Sequence, residues 1–270
     1  MPEGEPFMAW LLFLFLVILV IIKDKEQEKA PPMKEGDGMK WQMPIGVDNF
    51  FDIRSKHYYF VDKTDFIRQL IDGHSAVTLI TRPRRFGKTL TLSMLEYFFS
   101  IEKEAQSRHL FDGLAIEGAG PAYMAHRGQY PVLFLSLKDL KDLTWPQMLQ
   151  SLSSWISYWF IDHEYLAESP AVNPDLRRRS PALKQQGAGQ NEMQLALALL
   201  VKMMHQHFGK PVILLLDEYD APIQQAWEHG FYTECIAFMK QFLGSVLKGN
   251  RDLDFAVLTG VLRVAEESIF

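Results

Sequence analysis

Short apolar runs and longer amphipathic stretches alternate along most of this chain. Ala76 to Thr81 (AVTLIT) is compact and rich in β-branched residues, which predicts a buried strand. Lys88 to Ser100 follows with Leu90, Met94, Leu95 and Phe98 at helical spacing. Pro131 to Leu137 (PVLFLSL) reads as a second strand. Trp145 to His163 carries Met148, Leu152, Trp155, Ile156 and Trp159 on one stripe, so it predicts a helix packed on the core. A helix over Glu192 to Phe208 leads into Val212 to Leu216 (VILLL). That run is apolar at every position, as a parallel strand covered on both faces should be. Phe231 to Leu247 reads as a further helix and Phe255 to Thr259 (FAVLT) as a fourth strand. Between the helices read at 145–163 and 192–208, Glu168 to Gln190 holds three prolines, two glycines and the run Arg177, Arg178, Arg179, and reads as a loop with a solvated basic stretch. Strands separated by helices predict an α/β fold: a mainly parallel sheet, flanked by helices, with right-handed crossovers.

The beginning of the chain breaks this pattern. Phe7 to Ile22 is unbroken apolar sequence, FMAWLLFLFLVILVII. As a helix it would extend roughly 24 Å at about 1.5 Å per residue. The hydrocarbon core of a bilayer is about 30 Å thick, so the run reads as a short membrane anchor. Glu3 and Glu5 precede it and no small-residue cleavage site follows, so it does not read as a cleaved signal peptide. Lys23, Lys25 and Lys29 would hold the following sequence in the cytoplasm. A second reading stands beside this one. Met39 opens a segment that looks like the start of a domain, and residues 1–38 would then be an appended tail. The domain division is therefore 1–38, a hydrophobic segment and charged linker, and 39–270, the α/β domain.

Composition narrows the chemistry. The chain has 270 residues, 48% of them hydrophobic, which is ample for a core. The formal net charge of −5 supplies no global basic field to draw the protein onto nucleic acid, although a local groove remains open. Cys235 is the one cysteine, so neither an internal disulfide nor a cysteine-based zinc site can form. It reads as a buried residue that packs a helix.

Two segments carry candidate chemistry. Between the first strand and its helix lies RPRRFGKT, residues 82–89. Its end matches the phosphate-loop pattern G-x-x-x-x-G-K-[ST], which sits between a strand and a helix. A helix N-terminus offers unpaired N–H groups and a positive dipole end to phosphate oxygens. Arg85, Phe86, Gly87, Lys88, Thr89 and Leu90 are the candidate nucleotide-binding residues. Lys88 would place its charge on the β/γ-phosphates and Thr89 its hydroxyl on Mg²⁺. Arg82 occupies the first glycine position of the pattern. The second segment, VILLLDEYDAP (212–222), ends a buried strand in Asp217 and Glu218. Asp217 is the candidate metal ligand and Glu218 the candidate general base. Asp220 either supports them or begins the turn before Pro222. The last strand ends in Thr259-Gly260, where a polar group would sit near the γ-phosphate, and Arg263, four residues on, either neutralises charge there or is an ordinary surface arginine.

These segments resemble one family, the AAA-ATPase-like domain proteins. The resemblance rests on PIGVDNFFDIRSKHYYFVDKT (44–64), LITRPRRFGKTLTLSMLEYFF (79–99), VILLLDEYDAPI (212–223) and LTGVLRVAEESIF (258–270). It runs from about Met39 to the end, and Arg82 belongs to this family's form of the loop. It implies a P-loop NTPase fold, ATP and Mg²⁺ as ligands, and an ATPase activity coupled to a regulatory or nucleic-acid process. A non-hydrolysing nucleotide switch and the ATPase part of a nuclease protein are the alternatives. Within FVDKT, Asp62 and Lys63 either touch nucleotide or cap a helix. The family also implies a fifth strand beside the first and, often, a nuclease-like domain farther on. The chain therefore reads as C-terminally incomplete after its fourth core strand. Assembly into a homo-oligomer, contact with nucleic acid and membrane attachment through 7–22 stay open as partner readings.

Overall fold

The computed structural model describes residues 42–261. The apolar run at 7–22 and Arg263 lie outside these residues. Among the described residues, no helix is long and apolar enough to cross a membrane.

Four parallel strands form one sheet in the order β1-β4-β3-β2, with β1 at Val77–Thr81, β2 at Val132–Ser136, β3 at Val212–Asp217 and β4 at Leu253–Gly260. Each strand expected from the apolar runs is present. The register pairs Thr81 with Gly260 and Ser136 with Asp217, so all four strands end along one edge. The chain passes from β1 at one side of the sheet to β2 at the other. It then works back through β3 to β4, which inserts beside β1. Among the described residues β1 has a strand on one side only.

Strand β3 shows why the sheet needs helices on both faces. Val212 to Leu216 are all fully buried. Successive side chains alternate in direction, so Leu214 and Leu216 meet one apolar cluster while Ile213 and Leu215 meet another. The first cluster is supplied by α4 (Trp145–Asp162), α5 (Gln190–Phe208) and α7 (Tyr232–Leu247). The second is supplied by α1 (Phe50–Ser55), α2 (Asp65–Gly73) and α3 (Lys88–Phe99). On α4 the stripe Met148, Leu152, Ile156 and Trp159 is buried, with Trp155 half-buried beside it. Helix α5 has matched ends. Glu192 accepts from the Gly189 N–H at 3.1 Å, and Gly209 closes the helix with φ 66°.

The helical content exceeds the sequence reading. The stretch read as a loop, 168–190, contains the one-turn helices Pro174–Arg177 and Ser180–Lys184, each with a proline in its first turn. Proline suits that place, because its N–H would have no helical partner and its φ is already helical. Arg178 and Arg179 are exposed, as a solvated basic stretch should be, while Arg177 is half-buried. Helix α6 (Ala221–His229) begins where a turn was one expectation, and Pro222 occupies its first turn.

Cys235 lies on α7 with no exposure. Burial pushes its thiol up to about 12. The reactive thiolate is then scarce and shielded at neutral pH. We expect no labelling by a maleimide in the folded protein and stoichiometric labelling in denaturant. Mass spectrometry across a urea series checks this, and labelling should follow the loss of helical signal.

Candidate functional site

The C-terminal edge of the sheet gathers the candidate residues. Strand β1 leaves the sheet at Thr81, and residues 82–87 turn the chain back into α3. Two residues in that turn adopt left-handed backbone: Arg85 at φ 70° and Gly87 at φ 72°. Glycine tolerates this geometry, whereas arginine pays about 1–2 kcal/mol for it. Strain of this kind persists where surrounding structure enforces it. Here the Arg82 N–H donates to the Gly260 carbonyl at 3.2 Å, tying the loop to the end of β4. At the other end, the Thr91 N–H and hydroxyl both donate to the Gly87 carbonyl at 2.9 Å.

Lys88 opens α3 and is only 8% exposed. Its ammonium donates to the carbonyls of Arg82 at 2.8 Å and Pro83 at 3.0 Å. An ammonium has three donors, so one remains after both loop contacts. The lysine therefore braces the loop from within and keeps a proton for an anion. Arg85 and Phe86 are exposed on the loop, and Phe86 leaves 60% of its surface in solvent. Leu90 packs on the cluster beneath α3.

Thr89 faces the end of β3. Its hydroxyl donates to Oδ2 of Asp217 at 2.6 Å, across 128 residues of sequence. Oδ1 of the same carboxylate accepts from the Thr259 hydroxyl at the end of β4. Asp217 is 2% exposed, and no cation pairs with it among the described ion pairs. A buried carboxylate held by two hydroxyls keeps lone pairs for a hard cation. No group of three or more His, Cys, Asp or Glu stands together as a metal site among the described residues. Magnesium needs no such cage, since it is commonly bound through one or two carboxylates with phosphates and water. The donor set of Thr89 and Asp217 fits that mode.

Glu218 adopts φ 50°, a third left-handed position on this edge. Its N–H donates to Asp217 Oδ1 at 3.1 Å, and its carbonyl accepts from the Ala221 N–H at 3.0 Å. The half-exposed side chain lines a small cleft with Arg84, Lys141 and Gln224. Asp220 has a different task. It is 2% exposed, and its Oδ2 accepts from the Val261 N–H at 2.9 Å and from Gln224 at 3.2 Å. It clamps the exit of β4 against the exit of β3, a supporting role. Gly260 makes that clamp possible, since a Cβ there would lie 2.7 Å from Asp220 Oδ1 and 2.8 Å from the Tyr219 ring.

Asp62 settles as a capping residue. Its Oδ1 accepts from the Thr64 N–H at 2.8 Å and the Thr64 hydroxyl at 2.7 Å, and its Oδ2 from the Ala115 N–H at 2.7 Å. Ala115 starts a one-turn helix, so Asp62 holds that helix against the entry to α2. Thr259 was legible only as a polar group at a strand end. Its bond to Asp217 joins residues 42 apart and carries no local signature.

Comparison with known proteins shows the family of the chain. The model of the AAA-ATPase-like family, described as "Predicted AAA-ATPase", matches residues 44–270. An uncharacterised protein from the 5′ region of vnfD in Azotobacter chroococcum mcd 1 is 30% identical over 240 residues. That alignment covers 85% of this chain and 39% of the relative, so the chain spans about two-fifths of that protein's length. No solved structure matches.

Proposed function

The chain belongs to the AAA-ATPase-like family, and from that premise we propose that it is a P-loop ATPase module that binds ATP with Mg²⁺ and hydrolyses it. The observation that carries this reading is the 2.6 Å contact between Thr89, at the start of α3, and Asp217, at the end of β3. It joins the two motifs that phosphoryl-transfer proteins need side by side: a phosphate cradle and a metal-holding carboxylate.

The roles follow from placement. The N–H groups of the first turn of α3 and the remaining donor of Lys88 hold the β- and γ-phosphates. Thr89 and Asp217 would hold Mg²⁺, which when bound would supply positive charge against the phosphates. Glu218 would orient a water molecule in the cleft and take its proton as the oxygen attacks the γ-phosphorus, while the bond from that phosphorus to the β–γ bridging oxygen breaks and ADP leaves with the oxygen. Thr259 keeps the Asp217 carboxylate turned towards Thr89. Arg263, outside the described residues, is proposed as a further source of positive charge for the phosphates. The cytoplasm, where ATP and reduced thiols are both found, is the compartment that suits this reading. Assembly of several copies and action on nucleic acid belong to the whole protein, and both stay as readings beside it.

Phosphate release from ATP by the full chain tests the proposal. We expect turnover with Mg²⁺ and none with excess EDTA. A well-folded chain that binds Mg·ATP without releasing phosphate would favour the nucleotide-switch reading instead.

A further inference from the structure

A cavity of about 380 Å³ opens between α2 and β1, directly beside Lys88. Ligand pockets commonly measure about 300–1,000 Å³. Its lining includes Asp65, Phe66 and Gln69 of α2, Ile80 of β1, Phe86 of the loop and Thr91 of α3, with the charged Lys63 and Arg82 beside them. We propose that this cavity holds the adenine base and ribose of the nucleotide, and that Gln69 reads the base's amino group. The inference rests on the ATP-binding reading above, and it extends that site to the part of the ligand that the phosphate loop does not touch.

Position is the first argument. Thr91 lies one turn along α3 from Lys88, and one turn rises about 5.4 Å. A ligand whose phosphates meet Lys88 can therefore enter the cavity with its sugar and base. The second argument is the wall chemistry. Phe66 and Ile80 supply an apolar side, and Phe86 presents a largely exposed ring. An exposed aromatic ring beside a phosphate-binding turn is a stacking surface, and any base has a π-face to offer it.

The third argument concerns the polar edge. The Gln69 amide donates through Nε2 to Asp65 Oδ2 at 2.9 Å. A carboxylate only accepts, so this contact fixes which end of the amide faces Asp65. The carbonyl oxygen is then the end left for a ligand. Asp65 itself is engaged by Arg68 at 2.7 Å, which satisfies its charge. A free carbonyl accepts from the exocyclic amine of adenine. Guanine places a carbonyl oxygen at that position, and two acceptors facing each other repel.

Calorimetric titration of the full chain with Mg·ATP, Mg·GTP and Mg·tripolyphosphate tests this. The wild type is expected to bind ATP about tenfold more tightly than GTP, the worth of one hydrogen bond. Gln69→Leu should bring the two within about twofold. Gln69→Trp, which fills the cavity, should weaken ATP at least about tenfold. Both variants should keep the wild-type affinity for tripolyphosphate, which also shows that they are folded. ATP affinity and ATP/GTP preference unchanged in both variants would overturn the assignment of the cavity while leaving the phosphate site standing. A folded wild type that binds neither ATP nor tripolyphosphate would remove the phosphate reading, and this proposal with it.

Discussion

Glu218→Gln is expected to bind Mg·ATP as well as the wild type and to release phosphate about 10²–10⁴-fold more slowly, the usual contribution of a positioned general base. The substitution preserves shape and removes only the capacity to take a proton. The structure gives a reason to separate the two effects. Glu218 reaches the site through a left-handed backbone turn. The bonds that hold the turn run from its N–H and carbonyl, and these survive in glutamine. Asp220, the nearest other carboxylate, cannot easily replace it. That group is buried and already accepts from Val261 and Gln224, so it has no free path to a water molecule. Single-turnover phosphate release gives the comparison. Equal rates in wild type and variant would show that another group orients the water, and the catalytic role of Glu218 would have to be withdrawn.

The parts of the fold that could be read from the chain are those where local pattern and tertiary burial agree. Strand β3 is apolar at every position because both faces are covered, and the same residues announce it in the sequence. Helices α1, α2 and α6 escaped for physical reasons. Six residues at Phe50–Ser55 show too little periodicity to stand out. Helix α2 lacks a side-chain cap, because the Thr64 hydroxyl bonds to Asp62 and to the Ile116 N–H instead. A strong start signal is thereby spent on a distant partner. At α6, Asp-Ala-Pro reads equally as a turn and as a first helical turn, and only packing decides between them.

The same division holds at the site. Lys88, Thr89 and Asp217 lie where a strand meets a loop or a loop meets a helix, and those boundaries are visible in sequence. What they bond to is not. The Lys88 contacts to Arg82 and Pro83 depend on the shape of the loop, which follows from left-handed backbone at Arg85. The Asp217–Thr259 contact depends on β4 lying beside β3, a matter of strand order. Gln69 offered no signal, since its meaning arises from a cavity shared by four elements and a carboxylate one turn away.

The most direct measurement is Mg²⁺-dependent ATP binding by the full chain, made beside Lys88→Ala. Alanine removes the ammonium and with it both the phosphate contact and the brace on the Arg82 and Pro83 carbonyls. A charge-assisted contact to phosphate contributes about 1.5–3 kcal/mol, so affinity should fall roughly ten- to a hundredfold. The helix itself should survive, because alanine is the best helix former and Lys88 sits at its first position. Thermal unfolding measured on both proteins confirms that the comparison is between folded states. Micromolar or tighter binding by the wild type with that loss in the variant is the result expected of a phosphate loop. Equal affinity in the two proteins, or no binding by a folded wild type, would contradict it.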